Sequence, residues 1–126
     1  MGAKSCVMNT QKLATSLRQF TGTGNYYRVY PKLVITDGVR YLASTANCYW
    51  LITAIYSYLP RKAVIEDFVV STLSVSETRA ELVLDDGNGN ILANQAIEYT
   101  DFPLPMIKIY CIHKNEQWVL LLPSEY

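Results

Sequence analysis

The chain has 126 residues, half of them hydrophobic and 17% charged, with acidic and basic residues in equal number. That length suits one domain with one sizeable core, and the composition excludes a disordered chain, which could not bury enough apolar surface to offset the entropy of ordering. Three cysteines, Cys6, Cys48 and Cys111, are an odd number without metal-type spacing, so a reduced, cytoplasmic protein is the simplest expectation.

Residues 1–8 read as a flexible tail and 9–126 as a single α+β domain. Residues 1–11 are polar and lack the apolar core of a secretory signal. Asn9 or Thr10 can cap a short helix running to Phe20, with Leu13, Leu17 and Phe20 as a narrow apolar stripe. The glycines of TGTG (21–24) end it. A phosphate loop would need a preceding strand and a Lys-Ser or Lys-Thr pair after the last glycine, so this stretch reads as a linker.

Residues 25–37 (NYYRVYPKLVITD) read as extended, with 33–35 as a short strand entering a helix cap. Tyr26, Tyr27 and Tyr30 alternate with Arg28 and Lys32, and Arg40 follows. Aromatic and basic side chains in alternation can stack on bases and meet phosphates. They also stack on one another over a sheet or helix, and no fuller RNA-binding signature accompanies them.

The stretch 36–59 (TDGVRYLASTANCYWLITAIYSYL) is the one candidate for a central helix. At about 100° per residue, Cys48, Leu51, Ile52, Ile55 and Leu59 share one face, while Val39, Leu42, Ala46 and Trp50 lie nearly opposite. The spacing predicts a kink or break near Asn47, whose short polar side chain tolerates a left-handed turn. Thr36 or Asp37 is the expected N-cap, and Pro60 the stop. Ser44, Thr45, Asn47 and Thr53 make the run too polar for a membrane span.

Beyond residue 60 the pattern changes to alternation. Strands are expected at 68–75, 80–84, 91–99, 106–113 and 118–122, the last apolar on both faces and therefore interior or covered. DDGNGN (85–90) is a strong hairpin signal. Its Asp/Asn spacing resembles a calcium loop, but the sixth and twelfth positions from Asp86 are Ile91 and Ile97, where glycine and glutamate are required. The expected fold is α+β, with N-terminal helices packed on one face of a four- to five-stranded antiparallel β-meander.

His113 is the sole histidine. Cys111 lies two residues away on the same face of a strand, about 7 Å along the backbone, and Cys48 is a looser candidate partner. Neither pairing, nor a carboxylate pair drawn from Asp37, Glu98 and Asp101, satisfies a catalytic pattern, and no metal or cofactor set is present in the sequence. The charge is polarised. Residues 1–62 carry eight basic side chains against one acidic, and residues 63–126 three against ten. Such a division fits two complementary halves, head-to-tail self-association, or a nucleic-acid surface.

FTGTGNYYR (20–28), TDGVRYLA (36–43), YWLITAI (49–55), DDGNGN (85–90), IEYTDFPL (97–104) and the terminal LLPSEY together resemble an uncharacterised family of small bacterial proteins, some of them phage-borne, catalogued as a domain of unknown function. The resemblance covers about 20–126 and implies a small soluble protein. It implies no activity and no site residues. The sequence departs from the pattern at Cys48 and around 114–117. The expectation is therefore a non-enzymatic accessory protein that binds an unidentified protein partner or itself. The competing expectation is a nucleic-acid-binding module. The candidate contacts are Tyr26, Tyr27, Arg28, Tyr30, Lys32, Arg40 and Trp50. A small Cys/His enzyme is a third reading.

Overall fold

The structure, a computed structural model, describes residues 10–22, 24–59 and 67–126. Three helices, α1 (Thr10–Arg18), α2 (Asp37–Thr45) and α3 (Tyr49–Tyr58), accompany seven strands. The strands are β1 (Tyr26–Tyr30), β2 (Leu33–Thr36), β3 (Phe68–Ser76), β4 (Arg79–Asp85), β5 (Ile91–Ile97), β6 (Met106–Lys114) and β7 (Gln117–Leu121). They form one sheet in the order β1-β2-β7-β6-β3-β4-β5. All neighbours are antiparallel except β2 and β7, which are parallel, with Leu33 beside Trp118 and Ile35 beside Leu120.

Two expectations are corrected here. The sheet has seven strands rather than four or five, because Tyr26–Tyr30 and Leu33–Thr36 form a hairpin that joins through β2. It is also not a meander. After β5 the chain crosses back over the β3–β4 hairpin and β6 pairs with β3. The physical reason lies in β3, FVVSTLSVS, which buries side chains on both faces and needs a neighbour on each side. ILANQAI of β5 is mostly exposed and sits at the edge. The crossing is tied down by Thr100 N–H to Thr78 O at 2.7 Å and Val75 N–H to Pro105 O at 2.8 Å. As expected, β7 is interior.

The central stretch is broken where the sequence placed the break. α2 ends at Thr45, Asn47 has φ +52°, and α3 starts at Tyr49. Asn bears a left-handed conformation at low cost. The break re-aims α3, so that Leu51, Ile52 and Ile55 are buried in the same core as Val39 and Leu42 of α2 and Leu13 and Leu17 of α1. Thr36 is the N-cap of α2, accepting the Val39 N–H. α1 closes two residues earlier than Phe20, in turns from Gln19 and Phe20. Residues 1–8, Asn9 and Pro60 lie outside the described residues.

α3 reaches both edges of the sheet. Tyr56 stacks on Tyr30 of β1 with ring centroids 5.0 Å apart, and the Tyr58 hydroxyl donates to Gln95 of β5 at 3.0 Å. A flat seven-stranded sheet would hold its edge strands roughly 29 Å apart. Strand twist brings side chains of both edges within reach of one helix.

Candidate functional site

Three of the six resemblance-bearing segments, FTGTGNYYR, TDGVRYLA and LLPSEY, meet at the start of α2. Asp37 accepts the Gly24 N–H at 3.0 Å on Oδ2 and the Tyr27 hydroxyl at 2.8 Å on Oδ1. The Arg40 guanidinium lies 4.3 Å over the Tyr27 ring, a cation–π contact. Phe20 packs on Tyr41 at 5.4 Å. From the other end of the chain, Glu125 takes the Thr36 hydroxyl at 2.6 Å, the Gly38 N–H at 3.0 Å and the Leu122 N–H at 3.0 Å. Its carboxylate thus satisfies a free amide at the positive end of α2. A cleft of about 420 Å³ opens between Phe20, Tyr27, Arg40 and Ser44. Both oxygens of Asp37 already hold backbone or tyrosine donors, so this cluster works as a clamp.

The predicted contact residues divide. Alternation along β1 sends Tyr26 and Arg28 to one face of the sheet and Tyr27 to the other. Tyr27 and Arg40 belong to the clamp. Tyr30 is packed on Tyr56, with its hydroxyl 2.8 Å from Thr53 Oγ1. Arg28 is tied to Pro31 O at 2.7 Å and Gln117 Oε1 at 3.0 Å. Lys32 is exposed in the β1–β2 turn, and Trp50 stands 37% exposed at the start of α3. No single platform of stacked aromatics unites these seven residues.

What sequence reasoning missed is the face of the sheet opposite the core. Cross-strand pairing aligns Arg28, Val34, Val119, Ile112 and Phe68 in one row. Leu121, Tyr110 and Val70 align in the next. Phe68, Tyr110 and Tyr126 form a triangle of rings with centroids 5.3–5.7 Å apart. Val34, Val70 and Leu121 are buried yet lie outside the main core cluster. At the ends of this stripe stand Tyr26, 61% exposed, and Tyr126, 73% exposed. A second cleft of about 420 Å³ lies between Tyr26, Arg28, Lys114 and Val119. The signal was present in the double-sided apolar character of β7 and β3, but the pairing that aligns them was not.

Residues 11–126 match DUF6876, a family of unknown function. The chain belongs to this family. All three segments that meet in the clamp lie within the matched range. A protein of unknown function from Enterococcus faecalis, known from a crystal structure, is similar with 17% identity over 75% of this chain and 90% of that one, at a TM-score of 0.48. No curated protein matches.

The thiols are placed for packing. Cys48 and Cys111 are fully buried, and burial pushes each up to about 12. Cys48 Sγ faces Leu42 O at 3.7 Å and Cys111 Sγ faces Ile109 O at 3.9 Å. The His113 ring packs edge-on against Trp118 at 5.0 Å. In the 85–90 turn, Asp86 accepts the Asn90 side-chain amide at 2.7 Å and the backbone N–H groups of Asn88 and Asn90. Those bonds, the Asn90 side chain first, hold its carboxyl below the usual range. No helix among the described residues is long and apolar enough to cross a membrane.

Proposed function

We propose that the protein is a non-enzymatic protein-interaction module that docks its partner on the outer face of its sheet. In this reading the helices pack on one face of the sheet and the partner meets the other. The observation that supports it is the stripe from Tyr26 to Tyr126. Tyrosine combines large contact area with a polar tip and is enriched where surfaces meet. A contiguous apolar patch rimmed by polar groups such as Arg28 and Lys114 is the usual mark of a protein-binding site. The competing reading, nucleic-acid binding, draws on Tyr26, Arg28 and Lys114 around one cleft.

The test is capture of partners from cells of the source organism by immobilised wild-type protein, beside Tyr26→Asp and Tyr126→Asp variants of matched melting temperature. Partners held by wild type and lost by both variants are expected. Partners retained by both variants would place the interface elsewhere. Fluorescence titration with single-stranded and duplex DNA and RNA settles the competing reading. A signal that weakens steeply with added salt would overturn the protein-docking proposal.

A further inference from the structure

The lower half of β6 has an edge that no strand among the described residues covers. β6 pairs with β3 along its whole length, from Met106 opposite Ser74 to Ile112 opposite Phe68. β7 covers the other side only from Tyr110, opposite Leu121, to Lys114. In continued register Lys108 would face Pro123, which has no N–H to give. There the chain leaves the sheet. Val75 donates to Pro105 O, and His113 donates to Asp67 O. Odd-numbered residues of β6 therefore direct their backbone groups to β3, and alternation directs those of Met106 and Lys108 away from it. No strand among the described residues pairs with them on that side.

This edge floors a groove of about 640 Å³ between β6 and α1. Its walls are Ala14 and Leu17 of α1, Leu104, Ile107 and Leu122. Arg18 and Lys108 stand at its rim, and no acidic residue among the described residues lines it. A helix beside an unpaired strand edge, with an apolar channel between them, is a geometry that accepts an added strand. Backbone hydrogen bonds would hold the ligand, and alternate side chains would enter the channel. Four residues of edge, Met106 to Ile109, correspond to about 13 Å of extended chain.

We propose that this groove takes an extended peptide segment of a partner, alternately apolar and acidic, as an eighth strand beside Met106 and Lys108. The two cations that line the groove select carboxylates on the segment. Residues 1–9 carry one charge, on Lys4, of the wrong sign to complement Arg18 and Lys108. The site rests on the same interaction-protein reading but on a different surface from the Tyr26–Tyr126 stripe.

The experiment uses the full chain labelled with ¹⁵N and three short synthetic peptides: alternating valine and glutamate, alternating valine and lysine, and the first with its amides N-methylated. In the free protein the Met106 and Lys108 amides should exchange fast while Ile107 and Ile109 exchange slowly. The valine–glutamate peptide should bind saturably and slow Met106 and Lys108 alone among these four. Arg18→Glu and Lys108→Glu should each weaken it on the order of tenfold and favour the lysine peptide instead. The N-methylated peptide should fail. Slow exchange at Met106 and Lys108 in the free protein would overturn the proposal. So would the absence of saturable binding, or equal binding of the acidic and basic peptides. Tyr26→Asp should leave peptide binding unchanged, so this site and the outer-face reading fail separately.

Discussion

A methyl group placed on Gly38 would lie 2.6 Å from Glu125 Oε1 and 2.7 Å from Leu122 Cδ1. Moving the Glu125 carboxylate away would break its bonds to Thr36, the Gly38 N–H and the Leu122 N–H. Gly38→Ala should therefore cost about 1–3 kcal/mol through overpacking. The melting temperature should fall by roughly 4 °C per kcal/mol, and an unchanged value would refute the clamp. The buried thiols give a second prediction. Folding raises Cys48 and Cys111 from an ordinary 9.0 to about 12, so the folded chain retains protons that the unfolded chain releases. Their contribution to stability is complete below about 9 and is lost as pH rises towards about 12. Denaturant titrations across that window should show a smaller fall in Cys111→Ala than in wild type. At neutral pH iodoacetamide should leave both thiols unmodified until the chain is unfolded.

At the scale of elements, the turns were the most legible part of the sequence. The 114–117 connection is a two-residue hairpin with Asn115 at φ +54° and Glu116 at φ +62°. Both central residues are left-handed, the type I′ geometry that favours Asn-Gly. Glutamate bears that conformation at a cost of about 1–2 kcal/mol. Glu116→Gly should recover about 1 kcal/mol of it, read as a rise in urea midpoint with no change in slope. The break at Asn47, the Thr36 cap and the interior character of β7 were legible for the same reason, since each is set by neighbouring residues. The β1–β2 hairpin was not. Its outer strand carries three tyrosines and an arginine, and its pairing is disturbed by a bulge between Arg28 and Tyr30. Read locally, such a stretch looks like a surface segment.

At the scale of the whole molecule, what escaped the sequence was pairing between distant segments. Leu33 meets Trp118 and Gly38 meets Glu125 across more than two-thirds of the chain. No periodicity encodes such meetings. The return of β6 to β3 aligns Val119, Ile112 and Phe68 in one outer row. Composition signalled a binding surface through ten tyrosines, but it pointed to residues that the strand pleat then divided between a clamp, a helix contact and the outer face. The polarised charge also changes meaning. The acidic C-terminal half supplies Glu125 to the α2 N-terminus of the basic half, so one contact between the halves is internal.

The outer face of the sheet is the proposed docking surface. It is tested most directly by titrating a captured partner against wild-type protein, Tyr26→Asp, Tyr126→Asp and, as a control on another surface, Trp50→Asp. Aromatic anchors of an interface cost about 2 kcal/mol or more when removed, a loss of roughly thirtyfold or greater in Kd. Each outer-face variant should lose at least that much, while Trp50→Asp should bind as wild type does. Unchanged affinity in both outer-face variants, or a loss confined to Trp50→Asp, would contradict the account.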